Sequence, residues 1–499
     1  MAAMRVLLIY SNRSRIIEPV PPIGLSYVAT ATRDAGHDVR FLDLMVSKDP
    51  DRELEAALAD FDPGVVGISV RNVDTVIPQR LSWHLGDLGH WIAMIRRSGE
   101  RVIVLGGPAI SVIQSHALER MDADYAIIGE GELAFPKLLQ ALDEKSDYRH
   151  IEGLSFREDG AVRLNPPLRQ TSFGPSGMQV WIRWKEYDRA GGLFAIHTKR
   201  GCPLSCLYCN YPGMEGRSLR CRDASDVVDE IERVQKELAP RAFEFTDTTF
   251  NLPVSHAAAI CEEIIRRNLK VKLSATGINP LGLTEELLGL MKRAGFISMV
   301  VSADAGNDTM LRNLQKGFTV ADVKRAAALI EKSGIRSTWF FLLGGPGETQ
   351  ETVDQTLAFI EDNLNFSRCL TVVMTGIRIL PASPLAEFLI KSGELPTGRD
   401  LTDPVFYFSP GLSESWVLDR VHRSISRCPG IVQGGEENGS PAERLFYRAL
   451  HALGAAPPYM RFLPHFLRLP ILRTLRARAP RVPESPPEVY LAKVPPPLS

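Results

Sequence analysis

The feature that most constrains the fold of this chain is a repeated alternation of short apolar runs with longer helical patterns. The alternation extends over residues 4–142 and resumes over residues 193–375. A run of Val, Ile and Leu bounded by turn residues predicts a strand buried on both faces, and helices between such strands cover a parallel sheet. Because 499 residues exceed what one hydrophobic core supports, the sequence predicts at least two α/β units.

The first unit is predicted to be a doubly wound parallel sheet, because a helical pattern separates each strand from the next. Such sheets bind ligands at the carboxyl ends of their strands. The helical patterns cover residues 23–35, 52–60, 80–97, 111–120 and 132–142. The strands are expected at Arg5–Tyr10, Val39–Leu42, Val65–Ser69, Val102–Leu105 and Tyr125–Ile128.

The second unit is predicted to be a partial (β/α)6 barrel, which places its chemistry on the loops after the strands. The chain then divides into residues 1–145, a linker at 146–192 with a hairpin at Asp159-Gly160, the barrel at 193–390 and a small, mostly helical C-terminal region at 391–499 that caps the barrel or binds substrate. The six barrel strands are expected at Leu193–Thr198, Ala242–Phe245, Val271–Ala275, Ser298–Ser302, Thr338–Leu343 and Leu370–Thr375.

Small and polar residues follow the strands of the first unit. Glycine at these turns allows a backbone to approach a large flat ligand or a phosphate, although βα turns often need glycine for their own geometry. Both interpretations stay open for any single turn. The turns are Ser11-Asn12, Ser69-Val70-Arg71-Asn72, Gly106-Gly107-Pro108 and Gly129-Glu130-Gly131-Glu132.

The overall charge argues against nucleic acid as a partner. The 58 Lys and Arg residues nearly balance the 59 Asp and Glu residues, for a formal net charge of -1. No apolar run approaches the ~20 residues of a membrane-spanning helix, so we expect a cytoplasmic protein. Residues 459–481 combine apolar side chains with six arginines and no acid. This segment is either a patch for peripheral membrane or hydrophobic-substrate contact, or a basic helix whose apolar side packs on the barrel.

Three cysteines form the most informative cluster of the sequence. Cys202, Cys206 and Cys209 have the spacing C-x3-C-x2-C on the loop after the first barrel strand. Three thiolates from one loop can bind an iron–sulfur cubane and leave one iron open to an exogenous ligand. A zinc site would need a fourth ligand, for which His197 is the local candidate, and unrelated structural cysteines are the remaining alternative. Cys221, Cys261, Cys369 and Cys428 are interpreted as packing residues.

The cysteine loop, with Lys199-Arg200-Gly201-Cys202-Pro203 at its start, resembles the signature loop of the radical S-adenosylmethionine superfamily. The turns at residues 245–250, 302–306, 343–349 and 380–385, and the Lys316-Gly317 pair, resemble later motifs of the same superfamily in the same order. The resemblance implies that a [4Fe-4S] cluster is bound by the three cysteines, with S-adenosylmethionine held nearby. Asp304 stands where glutamate is more usual. The implied S-adenosylmethionine contacts are Tyr208, Asp247, Thr248, Ser302, Asp304, Lys316 and Gly344.

The N-terminal unit resembles the cobalamin-binding domain that precedes many radical enzymes, through Pro21-Pro22-Ile23-Gly24-Leu25 and the glycine turns at residues 106–108 and 128–132. The chain departs from the cobalt-ligating pattern Asp-x-His-x-x-Gly, because Ser11-Asn12-Arg13 follows the first strand. The resemblance then implies that Arg71 or Asn72 approaches the lower face of the cobalamin instead. The implied contacts are Ser11, Asn12, Ser69, Val70, Arg71, Gly106, Gly107, Gly129, Glu130 and Gly131.

Together these resemblances imply a radical enzyme that moves a methyl group from methylcobalamin to an unactivated carbon of a small-molecule or lipid-like substrate. An external electron donor of the flavodoxin or ferredoxin type would reduce the cluster. Cyclisation or rearrangement with the same cofactors is the alternative. A further alternative is a radical enzyme whose N-terminal domain no longer binds cobalamin. Because the cofactors carry the difficult steps in either case, no side chain is assigned an acid or base role.

Overall fold

Two largely parallel, seven-stranded sheets form the framework of the chain. The computed structural model describes residues 3–14, 18–434, 441–469, 485 and 489–491. The strands of the N-terminal sheet are β1 (Arg5–Tyr10), β2 (Asp38–Asp43), β3 (Val65–Ser69), β4 (Val102–Gly106), β5 (Tyr125–Ile127), β6 (Leu154–Glu158) and β7 (Ala161–Leu164). Its helices are α1 (Ile23–Asp34), α2 (Pro50–Phe61), α3 (His84–Arg97), α4 (Pro108–Ile113), α5 (His116–Arg120) and α6 (Gly131–Glu144).

The N-terminal sheet has the strand order β2-β1-β3-β4-β5-β6-β7. Strands β1 to β5 are parallel, whereas β6 and β7 add an antiparallel hairpin at one edge. The hairpin predicted for the linker is therefore present, but it extends the N-terminal sheet. The single helix expected at residues 111–120 is two helices, because Gln114 has φ of 52° and ends α4.

The second sheet forms the barrel wall. Its strands are β8 (Phe194–Ile196), β11 (Phe243–Phe245), β12 (Leu273–Ile278), β13 (Phe296–Asp304), β14 (Arg336–Leu343), β15 (Cys369–Thr375) and β18 (Ile431–Gln433). Two short pairs, β9 (Lys199–Arg200) with β10 (Arg220–Cys221) and β16 (Ile377–Arg378) with β17 (Phe406–Tyr407), lie beside it. The remaining helices are α7 (Met178–Trp181), α8 (Trp184–Arg189), α9 (Tyr211–Glu215), α10 (Ala224–Leu238), α11 (Val254–Arg266), α12 (Glu285–Ala294), α13 (Asp308–Asn313), α14 (Val320–Ser333), α15 (Gln350–Asn363), α16 (Pro384–Lys391), α17 (Glu414–Arg427), α18 (Pro441–Ala452) and α19 (Leu463–Leu467).

The barrel sheet has the order β18-β15-β14-β13-β12-β11-β8, and each neighbouring pair is parallel. The six predicted strands are present, and β18 adds a seventh from the C-terminal region. The barrel remains incomplete because β8 and β18 are the two edges of this sheet. The parallel order places all the carboxyl ends of these strands at one rim, where the loops of a barrel carry its chemistry.

The outer face of the barrel sheet packs against the helices through aromatic side chains. Phe243 and Phe245 are fully buried, and the ring of Phe245 stacks on that of Phe250 with centroids 4.8 Å apart. Glu244 lies between these two residues on β11, so strand alternation directs its side chain to the barrel lumen. Apolar burial on the outer face fixes which polar side chains face inward.

The described C-terminal residues pack against the amino ends of β14 and β15. Leu463 and Leu467 of α19 bury their side chains with Leu370 of β15. Residues 459–469 therefore pack on the barrel, as one of the two interpretations of the basic segment expected. Residues 470–481 of that segment lie outside the described part of the chain. No helix among the described residues is long and apolar enough to cross a membrane.

Candidate active site between the two sheets

The three clustered cysteines lie on the loop that follows β9. Cys202 and Cys206 are buried, Cys209 is half-buried, and all three are free thiols. Gly201 opens the loop with φ of 94°, and a Cβ there would lie 2.2 Å from the carbonyl oxygen of Ser218. Glycine is thus required where the loop crosses its neighbouring segment.

The electrostatic environment of these thiols suits them for metal ligation. Burial, together with the neighbouring cysteines, raises the pKa of Cys206 and raises that of Cys209 to about 12. Buried thiolates are therefore costly unless a cation is bound between them. No three His, Cys, Asp or Glu side chains of the described residues converge on a position for one metal ion. A cubane differs from one ion because each thiolate binds a different iron, so the three-thiol donor set fits an iron–sulfur cluster.

Asp247 and Thr248 hold the cysteine loop in place. The Asp247 carboxylate accepts hydrogen bonds from the Thr198 backbone amide at 2.8 Å and the Thr198 hydroxyl at 2.5 Å. The Lys199 ammonium lies 3.6 Å from the same carboxylate. The Thr248 hydroxyl donates to the carbonyl of Gly201 at 2.9 Å. The structure therefore brings both predicted residues to the loop, with their side chains bonded to protein.

Tyr208, Asp304 and Lys316 form a buried polar triad beside Cys206. The Lys316 ammonium lies 2.5 Å from the Asp304 carboxylate and donates to the Tyr208 hydroxyl at 3.2 Å, while that hydroxyl donates to Asp304. Burial raises the pKa of Tyr208, and the nearby Asp304 raises it further. Asp304 has φ of 67°, which is rare for a residue with a side chain and is maintained here by these bonds.

The other two predicted contacts lie on neighbouring strands of the barrel. Ser302 alternates with the fully buried Val301 and Ala303, so its side chain faces the lumen. Gly344 follows β14 with φ of 95°, and its amide and that of Gly345 donate to the Glu348 carboxylate. Burial raises the pKa of Glu348 to about 7. This turn is rigid because one carboxylate bonds two consecutive amides.

An open cavity lies at the carboxyl ends of the N-terminal strands. Six of the ten residues predicted to contact cobalamin line it, whereas Ser11, Asn12, Val70 and Arg71 do not. Among these four, the Ser11 hydroxyl donates to the carbonyl of Ser69 at 3.0 Å and the Asn12 amide to the hydroxyl of Tyr10 at 3.1 Å. Ser11 and Asn12 therefore hold the strand ends in place behind the cavity. The six lining residues are Ser69, Gly106, Gly107, Gly129, Glu130 and Gly131.

Glycine is necessary at one of these positions. Gly107 has φ of 96°, and a Cβ there would lie 2.6 Å from the carbonyl oxygen of Val70. The amide of Val70 in turn donates to the carbonyl of Gly106 at 2.9 Å. The ends of β3 and β4 are therefore packed backbone against backbone, which leaves the space in front of them open.

The barrel contributes the opposite wall of this cavity, which the sequence alone did not assign. His197 and Arg200 line it together with Tyr211, Met214 and Glu215 of the loop that carries the cysteines. Arg200 forms an ion pair with Glu132 and lies 3.3 Å from the Glu130 carboxylate. One signal could have found Arg200: it lies two residues before Cys202, opposite a glutamate-rich turn.

Buried polar atoms in this cavity have no protein partner among the described residues. They include the Tyr27 hydroxyl and the Nδ1 atom of His197, whose rings stack with centroids 5.9 Å apart. Burial lowers the pKa of His197 to about 4, so the ring is neutral near pH 7. A large ligand bearing amide groups would satisfy such atoms. The glycine-lined space and the unpartnered atoms therefore fit cobalamin.

Two buried acidic side chains from different sheets influence each other's titration. Glu244 of β11 faces the lumen, and Glu18 comes from the segment after β1, where it accepts from the amide of Tyr459 at 3.1 Å. Burial raises the pKa of Glu18 to about 8 and that of Glu244 to about 7. The neighbouring Arg71 opposes the rise at Glu244.

The other cysteines divide into two groups. Cys261, Cys369 and Cys428 are buried, in agreement with their interpretation as packing residues. Cys221 is exposed, so the same interpretation is wrong for this residue. It lies on the short strand β10, which pairs with the buried strand β9 at the start of the cysteine loop.

Comparisons with known proteins agree with this geometry. The radical SAM superfamily matches residues 196–360, and the B12 binding domain matches residues 15–139. The chain is 27% identical to an uncharacterized methyltransferase of Pyrococcus horikoshii, with 87% of this chain and 94% of the relative covered. It is 26% identical to tryptophan 2-C-methyltransferase of Streptomyces laurentii, with 85% and 79% covered.

A solved structure has the same fold over nearly the whole chain. The radical S-adenosylmethionine methyltransferase TsrM of Kitasatospora setae, with cobalamin and a [4Fe-4S] cluster bound, superposes with a TM-score of 0.78 at 25% identity, covering 96% of this chain and 99% of its own. The fold of two sheets, the three-thiol loop and the glycine-lined cavity all correspond to the two matched domains. The chain therefore belongs to the radical S-adenosylmethionine enzymes that carry an N-terminal cobalamin-binding domain.

Proposed function

We propose that this protein is a methyltransferase that moves a methyl group from cobalamin to an unactivated carbon of a small molecule. One observation carries this proposal: the cavity in front of the N-terminal sheet is closed by Arg200, Tyr211 and Glu215, which flank the three cysteines on the same loop. The two cofactors would then face each other across a few residues. The division of the chain at residues 145, 192 and 390 is part of the proposal.

In this function the cysteine loop would hold the cluster through Cys202, Cys206 and Cys209, with S-adenosylmethionine beside it. Reductive cleavage of S-adenosylmethionine supplies a radical that removes hydrogen from carbon, and methylcobalamin supplies the methyl group. The side chains of the chain orient these groups and exclude water. Lys316 and Asp304 offer a cation and a carboxylate, which match the carboxylate and amino groups of a methionyl moiety.

The lower face of the cobalamin would have no histidine ligand. Ser11 and Asn12 follow β1, and the side chains of both donate hydrogen bonds to protein. Arg71 and Asn72 follow β3. The side-chain nitrogen of Asn72 donates to the Arg71 carbonyl, and its side-chain oxygen accepts from the Arg71 guanidinium, both at 3.1 Å. A guanidinium is permanently charged and does not ligate cobalt. Arg71 would therefore keep this face free of a protein ligand.

The barrel lumen would receive the substrate, in reach of both cofactors. Its inward-facing residues include the carboxyl group of Glu244 and the apolar ring of Phe340, which alternates with the buried Trp339 and Phe341. These groups suit a small molecule that has both apolar and polar parts. The electron that starts each cycle would come from a flavodoxin- or ferredoxin-type donor.

The first test is anaerobic purification with cobalamin supplied, followed by iron and sulfide analysis and an absorption spectrum. We expect about four irons per chain and a cobalamin band. Incubation with S-adenosylmethionine carrying a deuterated methyl group should then place that label on the extracted cobalamin. Iron without cobalamin would contradict the methylcobalamin mechanism. Bound cobalamin that never acquires the label would favour cyclisation or rearrangement of the substrate.

A further inference from the structure

The amino ends of β14 and β15 carry a cluster of basic side chains far from the cysteine loop. The basic cluster consists of Arg336, Arg368, Arg461, His465 and Arg468. Arg336 is the first residue of β14, Arg368 immediately precedes β15, and the amide of Ser337 donates to the carbonyl of Arg368 at 3.0 Å. In a parallel sheet these amino ends form the rim opposite to the one that carries the candidate active site.

The members of the basic cluster are close to one another. The guanidinium carbons of Arg336 and Arg461 lie 4.7 Å and 4.3 Å from the centroid of the same ring, that of Phe462. Arg468 donates to the side chain of Asn365, three residues before Arg368, at 3.0 Å. Two strands and the C-terminal residues after Pro458 thus bring four guanidinium groups to one place.

The basic cluster differs from the other buried arginines of the described chain. Arg200, Arg222 and Arg378 are each less than 7% exposed, and each forms an ion pair with a carboxylate. Arg461 is equally well buried at 8% exposed, but no carboxylate of the described residues forms an ion pair with it. A buried charge without a partner is costly, because it has lost water and gained no opposite charge.

Hydrogen-bond donors in the basic cluster are also unused. The Nε atoms of Arg336, Arg461 and Arg468 are buried and have no acceptor among the described residues. The pKa values also reflect the lack of an opposite charge near these side chains. Burial and the neighbouring Arg336 together lower the pKa of Arg461 to about 10. Burial and then Arg336 likewise lower the pKa of His465.

We propose that the basic cluster binds a phosphate-bearing anion at the amino rim of the barrel. Guanidinium groups present planar pairs of N–H donors that match the oxygens of phosphate, and several of them together favour a ligand with more than one negative charge. The exposed Arg368 and His465 are the entrance, and the buried Arg461 is the inner end. The anion is either a free phosphate compound or the phosphate of a lipid headgroup.

Inorganic pyrophosphate is the probe for a free anion. It should raise the melting temperature of the cluster-loaded enzyme above that in potassium chloride of equal ionic strength, and bind measurably by calorimetry. Arg336→Gln and Arg368→Gln should each weaken this binding about tenfold, the effect of removing a charge-assisted hydrogen bond. Arg266→Gln is the control, because Arg266 is an exposed arginine paired with Glu263 on α11, and it should leave binding unchanged.

Vesicles separate the two sources of phosphate. Co-sedimentation with phosphatidylglycerol vesicles but not phosphatidylcholine vesicles, lost in Arg336→Gln and Arg368→Gln and retained in Arg266→Gln, would identify a lipid headgroup. Pyrophosphate binding without vesicle binding would identify a free anion. The proposal is overturned if neither probe binds, or if both bind equally well to the three variants. The exposed position of Arg368 keeps the test valid where another variant fails to fold.

Discussion

The cavity of the N-terminal sheet and the site in the barrel are built from different chemical groups. In the N-terminal sheet, backbone meets backbone at the strand ends, and Gly107 leaves the space open. In the barrel, the charged side chains of Asp304 and Lys316 are fixed as a pair, and Asp304 adopts an unusual backbone conformation. A bulky ligand needs room and few fixed charges, whereas a small charged ligand needs its counter-charges held in position. The open N-terminal cavity therefore suits the bulky cobalamin, and the charged site in the barrel suits S-adenosylmethionine.

Removal of one cysteine should have the largest effect and should affect only the barrel. Cys206→Ala deletes one of three thiols in the loop, so we expect loss of nearly all iron and of activity. Iron and sulfide analysis after anaerobic reconstitution measures it. Cys221→Ala is the control, because this exposed cysteine lies outside the loop and its removal should leave the iron content unchanged. Normal iron in Cys206→Ala would remove this residue from the ligand set.

Addition of one methyl group at Gly107 should have the next largest effect and should affect the N-terminal cavity. Gly107→Ala places a Cβ 2.6 Å from a carbonyl oxygen at φ of 96°. We expect a loss of about 1–3 kcal/mol in the free energy of unfolding, and loss of bound cobalamin with iron retained.

The control for this substitution is Gly64→Ala, since Gly64 has no atom within 4 Å of the added Cβ. Cobalamin content is read from the absorption spectrum, and the free energy of unfolding from denaturant titration. Equal cobalamin binding by both variants would show that the glycine turn does not form the cobalamin cavity.

A smaller effect is expected at the charged pair of the barrel. Lys316→Met removes the cation that lies 2.5 Å from Asp304, so S-adenosylmethionine should bind about ten- to hundredfold more weakly. Iron and cobalamin should stay bound. Calorimetry on the cluster-loaded enzyme measures the affinity. Lys332→Met removes an exposed lysine that pairs with Glu285 and should leave it unchanged. An unaltered affinity in Lys316→Met would assign the pair a structural role only.

The smallest effect concerns the acidic lumen and depends on pH. Burial raises the pKa of Glu244 to about 7, and the nearby charge of Arg71 opposes the rise. A raised pKa means that stability present at acid pH is lost as pH rises through the folded-state value. Glu244→Gln should therefore stabilise the protein by about 1–3 kcal/mol at pH 8 and hardly at all near pH 4. Unfolding titrations at both pH values measure this, and an equal effect at both would contradict it.

Much of the fold was predictable because strand and helix patterns are local. The buried runs at Arg5–Tyr10 and Val65–Ser69 coincide with β1 and β3. The helix predicted at residues 111–120 illustrates the limit, since Gln114 breaks the helical pattern by adopting a positive φ that no neighbouring residue signals. Strand β18 was missed because three residues carry too little periodicity to identify a strand.

The site was predictable where a motif carries it and unpredictable where two regions meet. The spacing of Cys202, Cys206 and Cys209 was sufficient to locate the candidate site. The sequence placed Asp247 near the site, but only the folded chain shows that its carboxylate is bonded to Thr198. The pairing of Arg200 with Glu132 joins residues 68 positions apart, and no local pattern encodes such a contact.

That ion pair has a consequence for how the two cofactors influence each other. Arg200 lies two residues before Cys202, and its partners Glu130 and Glu132 belong to the turn that lines the N-terminal cavity. A ligand that displaces this turn also displaces the start of the cysteine loop. Thermodynamic linkage then requires reciprocity: whatever factor a bound cluster contributes to cobalamin affinity, bound cobalamin contributes to cluster affinity.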